Sequence, residues 1–162
     1  MIPALRVLHL VAIAIWVGAV VFFSFVTAPA LFAALPRDMA GRATAAIFPR
    51  YYLLGWICGS VALTSALLQV LLQGVAERRL LAGLLLLAAM LGASLYAGRG
   101  ILPRAAAARL VQADPVRASE HAEAKALFDR LHRQSVMLNG AVLLMGLGAL
   151  VVAALPARSP AP

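Results

Sequence analysis

The amino-acid sequence predicts an all-α fold, an integral membrane four-helix bundle with an additional helical loop on one side. Three observations carry this prediction. The chain is 64% hydrophobic and 12% charged, with a mean hydropathy of +0.94, far more apolar than a water-soluble domain of ordinary composition. Its charges divide it into four uncharged windows, 7–36, 51–76, 80–98 and 134–157. Each is long enough to cross a ~30 Å hydrocarbon core as a helix rising about 1.5 Å per residue. The windows also lack the alternation of a barrel strand, and an open strand would leave its backbone groups unpaired in lipid.

Within a single membrane domain of residues 1–162, spans are expected at about 5–32, 52–74, 80–98 and 135–155. A helical loop over 99–134 joins the last two, and a polar, proline-containing tail over 156–162 is expected to be disordered. In the first span, Pro29 lacks an amide hydrogen and should loosen the last turns. The small residues of "VTAPA" (26–30) resemble a signal-peptide cleavage site, but the uncharged run around them is about twice a usual signal core, so a retained helix is expected. His9, Trp16 and Phe23 recur every seven residues on one stripe, where the two aromatics serve packing.

"FPRYY" (48–52) is expected to open the second helix with its tyrosines at headgroup level. Gly55 and Gly59 form a G-x-x-x-G pair that admits another helix closely, and Gly18 with Ala14 and Gly92 with Ala88 offer comparable small surfaces. Such faces suit helix packing or a homo-oligomer. Segment 99–133 is rich in helix formers broken at Pro115, which predicts a short helix before that proline and a longer one after it. Lone Cys58 has no partner for an internal disulfide and reads as a small packing residue.

The net charge of +8 raises the question of nucleic acid, but its placement argues for a membrane and against nucleic acid. Ten of the fourteen basic residues lie in 37–50 and 99–133, against Arg6, Arg78, Arg79 and Arg158 on the other side. By the positive-inside rule those two segments face the cytoplasm and both termini lie outside it, in a bacterial inner membrane.

The candidate chemistry is concentrated in "FDRLHRQSVMLNG" (128–140), where Phe128, His132, Ser135 and Asn139 fall within roughly 60° of one another at 100° per residue. A polar stripe entering the membrane should face the bundle. Two readings follow: an interhelical hydrogen-bond clasp, or a ligand site framed by Tyr51, Tyr52, Arg50, Tyr96 and Arg99 at the same level. His9 is the other intramembrane imidazole, a possible ligand for haem or a metal, but four straight spans place it and His132 near opposite faces. His121, in the polar segment, is expected to be solvent-exposed. All six carboxylates lie outside the windows, which argues against an ion-coupled pump. There is no Cys-x-x-Cys, phosphate-binding glycine loop, nucleophile elbow or zinc spacing, so nothing marks a catalytic residue.

Together, "LHLVAIAIWVGAVVFFSFVTAPALF" (8–32), "IFPRYYLLGW" (47–56) and "FDRLHRQSVMLNG" resemble the bacterial domain-of-unknown-function family related to transmembrane protein 205, a four-helix membrane family. The L-H-x6-W-x-G opening is also similar to the first helix of the CopD and HemJ types. The resemblance implies roles near platinum-drug resistance or copper handling, and for His9 the place of a haem ligand. A lysine that accompanies that histidine in the HemJ type has no counterpart in the spans, since Lys125 is the only lysine. The expected function is a small binding or transport-associated module for a metal or small ligand. A haem-dependent redox enzyme and a ligand-free assembly factor are its rivals.

Overall fold

The computed structural model describes residues 2–73 and 78–155, and all the regular structure in them is helical. Four rods follow one another up and down. The first comprises α1 (Ile2–Phe22), a π-helical stretch over Phe23–Thr27 and α2 (Ala28–Ala34). The second is a single helix, α3 (Arg37–Gln73). The third is α4 (Arg78–Leu95), a second π-helical stretch over Tyr96–Ile101 and α5 (Leu102–Ala113). After a 3₁₀ turn over Pro115–Glu120 the fourth, α6 (His121–Ala154), returns. All four rods are long and apolar enough to cross a membrane.

Helix continues well past the uncharged windows. Segment 37–50, expected as a loop with a helix opening at Phe48, lies inside α3, and Pro49 is accommodated within that helix. Segment 99–133, expected as a helical loop, is the continuation of the third and fourth rods, with its break at Pro115. The reason is physical: charges mark where a helix leaves lipid, not where its hydrogen bonds end, and the alanines and arginines here are strong helix formers. The chain reverses at Asp114, whose carboxylate accepts the Val116 amide at 3.0 Å and whose carbonyl oxygen lies 2.8 Å from His121 Nε2. His121 is therefore half-buried in a turn rather than exposed. Asp129 pairs with Lys125 at 2.8 Å on the α6 surface. The tail 156–162 lies outside the described residues.

Each π-helical stretch precedes a proline. Pro29 and Pro103 stand in the first turn of the α-helix that follows, and the residues four before them, Phe25 and Arg99, lie within the widened turns. A proline ring clashes with the carbonyl four residues back and supplies no amide to it, so a wider turn relieves both problems. The loosening expected at Pro29 takes this form.

α1 packs along α3, and α6 closes the bundle against α1 and α4. At mid-depth the Trp16 indole, 3% exposed, lies on the bare backbone of α3. A Cβ on Gly55 would sit 2.7 Å from Trp16 Nε1, and one on Gly59 2.7 Å from the six-membered ring. Gly146 similarly receives Val17 and Met90, and Gly98 lies against Trp56 and Tyr52. Gly18 and Gly92, which look like Gly55 and Gly59 in the sequence, have nothing within 4 Å of where a Cβ would stand and face outward. The G-x-x-x-G pair thus receives a side chain of the same chain, and is not free for a second copy.

Gly59→Leu should force the indole from its seat and lower stability by about 1–3 kcal/mol, as overpacking of a filled core does. Gly92→Leu should leave the unfolding midpoint in detergent unchanged. Equal midpoints for the two variants would contradict the packing described.

Candidate functional site

Polar groups gather where the two π-helical stretches meet α3 and α6. Asn139 turns toward the first rod and α3, where its amide nitrogen donates to Ser24 Oγ at 2.9 Å and its carbonyl oxygen accepts the Tyr51 hydroxyl. The Tyr52 hydroxyl lies 3.3 Å from Ser135 Oγ. These bonds tie three rods together at one level. Outside a membrane each would contribute little, but in lipid the alternative for each group is to lack a partner.

An aromatic cluster fixes the tyrosines. Phe23, in the first π-helical stretch, lies 5.0 Å from Tyr51 and 5.1 Å from Phe48 between ring centroids. Phe48 stacks on Tyr52 at 5.9 Å, and Tyr52 on Trp56 at 6.4 Å. Such pairs favour defined offset and tilted geometries, so the rings hold the hydroxyls toward α6. Gly98, in the second π-helical stretch, admits the faces of Tyr52 and Trp56 where any side chain would collide at 2.6–2.9 Å.

Beside this network is a small cleft lined by Trp16, Tyr51, Ser94, Asn139 and Val142, with space for about one water molecule. Its polar lining is neutral: hydroxyls of tyrosine and serine and the amide of asparagine. Among the described residues, no carboxylate or guanidinium lines it.

Of the residues expected at this site, Ser135, Asn139, Tyr51 and Tyr52 come together. His132 does not. Its ring is exposed and stacks on Phe128 with centroids 6.0 Å apart. The buried side of α6 is centred on Leu131, Val142 and Ala149, and His132 lies at the margin of that face. Arg50 reaches the Ala46 carbonyl of its own helix at 3.4 Å, Tyr96 is 56% exposed, and the Arg99 guanidinium lies 5.3 Å over the Trp56 ring. These three face the outside of the bundle rather than framing the cleft. Trp56 Nε1 beneath Arg99 is buried without an acceptor among the described residues. Ser24 and Ser94 join the site without warning from the sequence, since a lone serine in an apolar span carries no spacing signal; Pro29, five residues beyond Ser24, is the available hint.

His9 lies far from this cluster. It is 7% exposed, with Nδ1 2.9 Å from the Ala62 carbonyl oxygen of α3. A carbonyl only accepts, so Nδ1 is the donor of this bond. His9 bonds to α3 at Ala62, whereas His132 stacks on Phe128 in the first turns of α6. Among the described residues, no group of three or more His, Cys, Asp or Glu is placed to hold a metal ion.

The family follows from residues 11–113, well over half of the chain, which match the model for a domain of unknown function, DUF4149. The chain belongs to the DUF4149 family. The DUF4149 match runs from within α1 to the end of the third rod, and so includes Trp16, Ser24, Tyr51, Tyr52, Gly55 and Gly59, while His9 precedes it and Ser135 and Asn139 lie beyond it on α6. No curated protein and no solved structure matches the chain.

The Tyr51–Asn139 bond should show a coupling energy of about 1 kcal/mol in a double-mutant cycle of Tyr51→Phe and Asn139→Ala. Additive losses in unfolding free energy would mean that the two side chains do not meet.

Proposed function

We propose that this DUF4149 protein is a membrane-embedded binding module for a small polar ligand, which would widen the water-sized cleft between Trp16, Tyr51, Ser94 and Asn139 on entering it. The supporting observation is the convergence there of hydroxyl and amide groups from the second, third and fourth rods with the Trp16 indole of the first, beside two widened helical turns. Widened turns often accompany functional sites in helices, because they free the backbone from regular geometry. The donor set directs the choice of ligand. Neutral oxygens and an amide suit a small neutral molecule, whereas copper prefers thiolate, thioether or imidazole. The link to metal resistance rests on the likeness to transmembrane protein 205 and CopD alone, and the cleft favours the small-ligand side of that reading. The arginine-rich end faces the cytoplasm of a bacterial cell by the positive-inside rule, with the termini on the other side.

A second reading, binding of haem for redox chemistry, is favoured by one observation. Ligating histidines commonly donate Nδ1–H to a backbone carbonyl and offer Nε2 to the metal, as His9 does toward Ala62. The chain fits haem poorly otherwise: the ring is 7% exposed and packed against α3 at Ala62. His9 reads better as a pin between α1 and α3.

The experiment is a thermal-shift screen of the detergent-purified protein against small polar solutes, with Asn139→Leu beside it. A true ligand at a hundred times its Kd should stabilise the wild type by about 2.7 kcal/mol and leave Asn139→Leu unmoved. Equal shifts in both proteins would remove the cleft from consideration. A Soret band lost in His9→Ala would establish the haem reading instead.

A further inference from the structure

The first rod is longer than the layer it has to cross. No charged residue occurs between Arg6 and Arg37, and that run of 30 residues measures about 45 Å as helix against a ~30 Å hydrocarbon core. At the same end the other rods reach arginine much sooner. Arg50 precedes Tyr51, whose ring lies against Phe23, and Arg99 lies over Trp56. The arginine level therefore passes the first rod near Phe23. About three turns, to Leu35, extend beyond it.

This overhang is apolar, packs along α3 and is exposed elsewhere. Phe25 and Phe32 on it are 67% and 50% exposed, and Phe22 just before it 62%. Val11, Ile15 and Gly18 are exposed nearer mid-membrane, so exposed apolar positions recur along the rod on both sides of the π-helical stretch, with no charged side chain between Arg6 and Arg37. Its end is marked by the exposed side chains of Arg37 and Arg42. The π-helical stretch and Pro29 lie at the base of the overhang.

We propose that this surface is sunk in the acyl layer at the arginine-rich end, so that Arg37 and Arg42, rather than Arg50, meet the headgroups on that side. The partner is the bilayer itself. The exposed apolar positions that continue from mid-membrane and the absence of any charged residue on the first rod before Arg37 favour lipid over a protein partner, whose binding patch would be bounded by polar groups. The charged hairpin, α5 with the first turns of α6, is held to α3 by Arg109, which donates to the Gly41 carbonyl. The inference rests on the reading that the rods cross a membrane.

The test is spin-label accessibility in phosphatidylcholine–phosphatidylglycerol vesicles, using the full chain with Cys58→Ala and either Phe25→Cys or Phe32→Cys to carry the label. Ile15→Cys and Leu144→Cys serve as mid-span controls and Leu110→Cys as a control on the charged hairpin. Labels at 25 and 32 should collide with oxygen as those at 15 and 144 do, and should lose collisions with a water-soluble nickel chelate that the label at 110 retains. Nickel access at 25 and 32 would overturn the proposal. So would shielding from both reagents, which would mean that a second copy or another protein covers the face. Loss of the lipid signature at 15 and 144 would instead overturn the membrane-spanning reading itself.

Discussion

Trp16 lying on the bare backbone of Gly55 and Gly59 is the contact on which the rest of the bundle depends. Between helices in lipid there is little hydrophobic driving force, because acyl chains are as apolar as leucine. Cohesion has to come from close van der Waals contact and from hydrogen bonds. The indole is the largest flat surface in the centre of the bundle, and two glycines one turn apart are the residues that let it touch main chain. Gly146 repeats the arrangement where α6 meets Val17 and Met90. The first rod is thereby gripped from two sides at mid-depth.

The two ends of that rod are fixed differently. Near its start a single bond from His9 to the Ala62 carbonyl joins it to α3, and near its other end Ser24, Asn139 and Tyr51 form a chain of bonds across three rods. Each unmade bond would leave a polar group in hydrocarbon, so these contacts specify register as well as adding stability. The wide turns imposed by Pro29 and Pro103 fall at the level of the second network. They displace the rods from ideal packing just where the cleft opens, which explains why the largest polar concentration in the bundle coincides with its least regular backbone.

Much of this is legible in the sequence, for reasons that also explain the rest. The four rods can be placed because charge is excluded from hydrocarbon, so Arg6, Arg50, Arg99 and Arg133 bracket the spans. The same signal is silent on where a helix ends in water, and so 37–50 and 99–133 give no sign that they prolong the rods. Ser135, Asn139, Tyr51 and Tyr52 can be grouped because polar residues in lipid must find one another. The angular argument has a width of tens of degrees, however, and His132 falls just outside it, beside Phe128 rather than among the tyrosines. Glycines are the least legible. Gly55 and Gly92 look alike in sequence, and only the position of Trp16 on the neighbouring rod decides that one is filled and the other bare.

The most direct measurement is the fluorescence of Trp16 in the Trp56→Phe protein, where it is the sole tryptophan, reconstituted with lipids brominated at mid-chain. Seated on the two glycines, the indole is predicted to escape quenching although it lies at the depth of the bromines. Strong quenching would show Trp16 facing lipid, and would contradict the packing on which the bundle, the clasp and the cleft are built.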